Sequence, residues 1–129
     1  MEDKNNINLG TFSWEVSISN ILKAGHGILE INSERQKQID KHGFSAEFQA
    51  EHPEYYGEGQ LESAAFELLK IDYDDYPIDF RQHAVECPKG WNEEWFTKLA
   101  LKDKRDRIRI AAALLAAELD RLNYLENNK

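Results

Sequence analysis

The stretch KRDRIRIAAALLAAELDRLNYLEN, residues 104–127, decides the reading of the fold. Ile108, Ala111, Ala112, Leu115, Leu119 and Leu122 recur three and four positions apart, laying one apolar stripe along a helix of roughly six turns. The spacing predicts a core helix with that stripe turned inward. Its beginning is basic: Lys102, Lys104, Arg105, Arg107 and Arg109 stand close together against only Asp103 and Asp106. A helix start carries partial positive charge, so bases there are unfavourable by a few tenths of a kcal/mol each unless an anion lies close. That end is expected to bind anions.

The chain has 129 residues and is 41% hydrophobic, enough for one domain with a core that needs no staples. A single cysteine, Cys87, excludes an internal disulfide. The longest apolar run, IAAALLAA, is too short to span a membrane, and no signal peptide is recognisable, so a cytoplasmic compartment is expected. The net charge of -8 argues against a long nucleic acid as partner, because phosphate-backbone binding needs a broad basic surface. The acid is concentrated: residues 51–79 hold nine carboxylates and one base, Lys70, which equals the whole net charge. A small anionic ligand at residues 102–109 suits that map better than a polyanion does.

Residues 1–9 are polar and Asn-rich and read as a loose N-terminus. TFSWEVSI, 11–18, alternates strictly, with Phe12, Trp14, Val16 and Ile18 on one face, and reads as a half-buried strand. AGHG at 24–27 can turn the chain and ILEI at 28–31 can return, which makes 11–31 a β-hairpin; the alternative is a helix over 20–31 interrupted at Gly25 and Gly27. Residues 33–127 form the helical region. Ser33 with Gln36 resembles a capping box opening a helix that Gly43 stops. FSAEFQAEHPEYYGEG, 44–59, reads as a loop rich in aromatics and acids, with Pro53 limiting any helix. Leu61, Ala64, Ala65 and Leu68 mark a second core helix, ended by the acidic turn DYDDYPID, whose small residues would let it approach the alanines of the last helix closely. Asn92 followed by Glu93 and Glu94 reads as an N-cap with acids in the first turn. The expected fold class is α+β: an N-terminal antiparallel hairpin or small sheet packed with two or three helices, the last one long.

The candidate ligand-binding residues are Phe80, Trp91, Asn92, Lys98, Arg105, Arg107 and Arg109, in a constellation that also holds Trp95, Phe96 and Lys104. Aromatic faces stack on a nucleobase, an Asn amide pairs with an adenine edge, and guanidinium forks take phosphate oxygens two at a time. The competing reading makes the aromatics core and the bases a solvated face paired with Asp103 and Asp106. Acids around Glu54, Glu58 and Glu62, with Glu67 on the same helix and Glu118 and Asp120 on the last one, suggest a Mg2+ site, as in the all-helical MazG-like nucleotide pyrophosphohydrolases, which set an E-x-x-E helix against an E-x-x-D helix. The spacing does not fit. Glu62 and Glu67 are five apart, while Glu118 and Asp120 are two apart and point roughly 200° from each other. His83 and Cys87 at i, i+4 lack the second pair that zinc needs. No phosphate loop or nucleophile elbow occurs, so no catalytic residue, metal or cofactor is expected. An acidic inhibitor that binds a basic protein through residues 51–79 is a further alternative.

SERQKQIDKHGF, GQLESAAFELL, PKGWNEEWF and RDRIRIAAALLAAELDRL, in this order, resemble a family of short phage-encoded proteins of unassigned function. These pieces reach from Ser33 to Leu122. Within that family the chain is similar to the phage anti-Thoeris sponges, which sequester the cyclic ADP-ribose isomer made as an alarm signal by bacterial TIR-domain proteins. The resemblance implies a non-enzymatic homo-oligomer, at least a dimer, that buries its signal without cutting it, and that also takes cyclic oligonucleotides. It carries adenine and phosphate contacts onto Asn92, Arg105, Arg107 and Arg109. The chain departs from the pattern where RIRIAAALL replaces a single base before A-G-A-L, leaving open which arginine faces the pocket, and TFSWEVSI is not part of the pattern. Asn92→Ala and Arg109→Ala are expected to weaken nucleotide binding while folding survives both.

Overall fold

The computed structural model describes residues 25–71 and 84–129, whose regular structure is six helices with no strand among the described residues. α1 runs His26–His42. Gly25, with φ 93°, stands before it, and Gly27 falls in the first turn, where backbone N–H groups lack intrahelical partners. Placed there, the two glycines interrupt nothing. This corrects the hairpin expected over 11–31: the returning strand ILEI at 28–31 belongs to α1, so the described part is all-helical and not α+β. The TFSWEVSI strand lies outside the described residues. Ser33 is mid-helix, so α1 opens at His26 and not at a capping box. Its stop is as expected. Gly43 takes the left-handed φ of 69°, and the Gly43 and Phe44 amides donate to the carbonyls of Ile39 and Gln38 at 3.0 and 3.1 Å.

The aromatic and acidic stretch read as loop contains two short helices, α2 (Ala46–Ala50) and α3 (Pro53–Tyr56). The Ser45 side chain accepts from the Phe48 amide to start α2, and Pro53 opens α3 at the first helical position, where its missing N–H has no bond to lose. α4 (Gln60–Lys70) buries Leu61, Ala64, Ala65 and Leu68 to 1% exposure or less. The acidic turn expected after it lies outside the described residues. α5 (Glu93–Ala100) starts at the expected cap, Asn92 Oδ1 accepting from the Trp95 amide at 2.8 Å.

α6 (Lys104–Asn127) has the bounds the sequence gives it, but a different face turns inward. It buries Arg107, Ile110, Ala111, Ala113, Leu114, Ala117, Glu118 and Arg121. Ile108, Leu115, Leu119 and Leu122, four of the six stripe residues, are 43 to 62% exposed. The run IAAALLAA is apolar on every side, so periodicity does not say which side faces the core, and each charge on the buried side has a partner. Arg121 grips Glu118 through two hydrogen bonds of 2.8 Å. Arg107 donates from Nε to the Lys102 carbonyl at 3.0 Å and from Nη1 to that of Leu68 at 3.1 Å, in the last turn of α4.

The core joins α4, α5 and α6 through Leu61, Leu68, Phe96, Ala100, Ala111, Leu114 and Ala117. α1 lies along α6, tied by Arg35 to Asp120 at 2.8 Å and by Arg105 to Glu30 at 2.9 Å. No helix among the described residues is long and apolar enough to cross a membrane.

Candidate functional site: a two-lobed cleft

A cleft of about 440 Å³ opens between α1, α5 and the first turns of α6. Its cations are Lys37 and Lys41 from α1, Lys98 and Lys102 at the end of α5, and Arg109 from α6; its carboxylates are Glu34 and Asp106. Five cations facing two carboxylates leave a positive excess in a chain whose net charge is -8. The spacing does this. Lys37 and Lys41 are four apart and share one side of α1, while Lys98 comes from the last turn of α5 and Lys102 from the break between α5 and α6. Two buried polar atoms border the cleft without hydrogen-bond partners, Gln38 Oε1 and Arg109 Nε.

The second lobe, of about 400 Å³, is aromatic. Phe48, Tyr55, Tyr56, Gly90, Trp91 and Asn92 line it, and it shares His42, Phe44 and Trp95 with the basic cleft. Across the shared wall the His42 and Trp95 rings are 5.6 Å apart, edge to face, and Phe44 and Trp95 are 6.1 Å apart. Trp91 is fixed by its Nε1, which donates to the Tyr55 carbonyl at 2.7 Å. The neighbouring turn needs glycine. Gly90 has φ 84°, and a Cβ there would meet the Tyr55 ring at 2.9 Å. Burial pushes the Tyr56 phenol up to about 12, so it stays neutral at the lobe's floor.

α4 positions this lobe from below. Gln60, 2% exposed, accepts from the Glu58 amide at 2.7 Å and donates to the Glu54 carbonyl at 3.1 Å, and Glu67 accepts from the Glu86 amide at 2.7 Å. Arg35 holds the other wall by donating to the Phe44 carbonyl at 2.7 Å.

The residues singled out in the sequence separate into groups. Lys98 and Arg109 meet in the basic cleft, and Trp91 and Asn92 in the aromatic lobe, with Trp95 between them. Arg105 does not line the cleft: Glu30, one turn before Glu34 on the same side of α1, holds it, and the same carboxylate lies 3.7 Å from Arg109 Nε. Arg107 is 1% exposed and bonded to backbone carbonyls, so its reading as a phosphate contact is corrected: it holds the fold. Phe80 lies outside the described residues. Arg109 is the arginine that faces the cleft, steadied by Asp106 at 2.7 Å. Missed in the sequence were Lys37, Lys41, His42, Phe44, Phe48, Tyr55 and Tyr56. Their signal was the i, i+4 lysine pair running into the Gly43 stop, and the density of aromatics read as loop.

Asn92 does double duty, so the expectation that Asn92→Ala leaves folding untouched is revised. One lone pair of its Oδ1 caps α5. Asn92→Ala is expected to lower stability by about 1 kcal/mol, and Asn92→Ser, which can still cap, by much less. Chemical denaturation of both checks this, and equal losses would show that the cap contributes nothing.

Four of the acids considered for Mg2+ are engaged elsewhere, Glu58 with Lys89 at 2.9 Å among them. Glu67 pairs with Lys70 at 2.8 Å and holds the Glu86 amide, Glu118 is locked to Arg121, and Asp120 to Arg35. Among the described residues no three His, Cys, Asp or Glu are grouped to hold a metal ion. His83, the suggested companion of Cys87, lies outside those residues. Burial raises the Cys87 thiol, with Glu93 adding to the effect, so it is a poor nucleophile at neutral pH. Comparison with protein families, with curated proteins and with solved structures finds no match to this chain.

Proposed function

We propose that this chain binds a compact nucleotide across the two lobes, base in the aromatic lobe and phosphates in the basic cleft, and holds it intact. The observation that carries the reading is the continuity of the lobes through His42, Phe44 and Trp95. Base stacking on an aromatic face contributes about 1 to 3 kcal/mol, and a charged hydrogen bond about 1.5 to 3 kcal/mol, so a ligand bearing a purine and two phosphates would use both kinds of wall at once. The lysines supply mobile point charges and Arg109 a planar fork. The engagement of Glu67, Glu118 and Asp120 in structural pairs weighs against hydrolysis of the ligand.

The likeness of the sequence to the phage anti-Thoeris sponges narrows the ligand to a cyclic ADP-ribose isomer, with cyclic oligonucleotides as chemically related guests. In this reading the chain is a phage anti-defence protein that works in the host cytoplasm and removes the signal of TIR-domain proteins by stoichiometric capture. The test is to incubate the protein with a TIR-derived cyclic ADP-ribose isomer, remove unbound ligand, denature by heat and analyse the supernatant. Recovery of the intact isomer in proportion to protein is expected. A cleaved product, or no retained ligand, overturns the reading.

A further inference from the structure

The wall of the basic cleft holds a neutral carboxamide among its charges. Gln38 is 4% exposed, on the side of α1 that carries Glu34 one turn before it and His42 one turn after. Its Oε1 is enclosed without a hydrogen-bond partner. A buried carbonyl left unpaired costs stability, and the neighbouring Leu99, Ile110 and Leu114 would suit an apolar side chain in its place. The carboxylates of the same cleft are already engaged, Glu34 by Lys37 at 3.7 Å and Asp106 by Arg109 at 2.7 Å. Gln38 thus brings to the cleft an acceptor that has no donor in the chain.

We propose that Gln38 reads the sugar of the bound nucleotide, its Oε1 accepting from a ribose hydroxyl, so that the site takes ribonucleotides in preference to their deoxy counterparts. This specificity rests on the nucleotide reading above. Gln38 stands beside the wall common to both lobes: its own carbonyl accepts from the Phe44 amide at 3.1 Å, and His42 follows it by one turn. A guest with its base beyond that wall and its phosphates against the lysines sets its sugar there. Ionised phosphate oxygens are acceptors, and the base lies in a lobe whose lining does not include Gln38, so the sugar hydroxyls are the donors left to it. The terminal torsion of a glutamine is broad and roughly two-fold, which lets the oxygen turn to the cleft while the stem stays in place. A site that pairs with a hydroxyl rejects the analogue lacking it, because the acceptor then stays buried and unpaired.

Titration calorimetry with ADP, 2′,3′-dideoxy-ADP and pyrophosphate tests this on the parent and on Gln38→Met, which keeps a long unbranched side chain without the carbonyl. The parent is expected to bind ADP about tenfold more tightly than dideoxy-ADP, and Gln38→Met to bind the two alike, near the parent's affinity for the dideoxy form. Pyrophosphate has no sugar and is expected to bind both proteins equally. Free Gln38→Met is expected to melt at or above the parent, because an unpaired carbonyl is gone. Equal binding of ADP and dideoxy-ADP by the parent overturns the inference and leaves the nucleotide reading intact. So does a parallel loss of ADP and pyrophosphate in Gln38→Met, which would make Gln38 a residue that shapes the phosphate cleft. A lower melting temperature of the free variant also overturns it, by showing that the chain itself pairs the carboxamide. If the parent holds a cyclic ADP-ribose isomer but not ADP, the isomer decides: a loss of about tenfold in Gln38→Met supports the inference, and an unchanged affinity overturns it. A parent that holds neither overturns the nucleotide reading, and the hydroxyl contact falls with it.

Discussion

Arg107→Ala is expected to lower the unfolding free energy by about 3 kcal/mol or more, whereas Arg105→Ala, two residues away, is expected to change it by less than about 0.5 kcal/mol. The contrast follows from what each guanidinium touches. Arg107 is 1% exposed and serves the carbonyls of Leu68 and Lys102, so its loss leaves one buried and one partly buried acceptor without that donor and a cavity where the side chain packed. It also puts a cation at the C-terminal end of α4, where the helix dipole favours one. Arg105 is 74% exposed in its side chain and pairs with Glu30 in solvent, an arrangement that contributes little. Arg107→Lys should recover only part of the loss, since one ammonium cannot reproduce two fixed N–H directions. Thermal and urea unfolding of the three variants decide the matter. Equal melting temperatures for Arg107→Ala and Arg105→Ala would show that Arg107 does not knit α4 to α6.

That pair of arginines also shows where sequence reading stopped. The helix over 104–127 was legible to the residue, because pattern, length and chemistry agree there. The face it buries was not. A core side carrying Arg107, Glu118 and Arg121 looks polar until the pairing of each charge is known, while the stripe through Ile108, Leu115 and Leu119 has the apolar spacing a core is supposed to have. The same difficulty hid α1, whose buried residues are Arg35 and Gln38 and whose apolar Ile28 and Leu29 are exposed. Local signals that act through the backbone fared better. Gly43 as a stop, Asn92 as a cap and the Leu61–Leu68 stripe of α4 are each where chain chemistry alone puts them. Of the candidate site, the basic start of α6 and the Trp91–Trp95 turn were legible as separate features. Their meeting with Lys37 and Lys41 was not, because no local rule brings α1 across to α5.

Lys41→Glu combined with Lys98→Glu is expected to reduce affinity for a cyclic ADP-ribose isomer on the order of 100-fold or more, as measured by titration calorimetry. The cleft has an excess of three positive charges, and each reversal removes two, so the double variant presents a net negative site to an anionic guest. Lys98 is largely exposed and only loosely paired, 3.8 Å from Glu94, and Lys41 is also exposed, so neither change should disturb the core. Arg109→Ala should weaken binding about tenfold, less than an unpaired guanidinium would, because Asp106 at 2.7 Å already offsets part of its charge. Arg105→Ala should lie within about twofold of the parent, since its exposed side chain is paired with Glu30 and does not line the cleft. Reversing a charge at the far end of α6, Lys129→Glu, controls for the net charge of the chain and should leave affinity nearly unchanged. The parent's affinity should fall with added salt, and the double variant should lose most of that dependence. If the double variant bound as the parent does, or if Lys129→Glu were equally damaging, the positive cleft would be a general feature of the surface and not the place where phosphate is held.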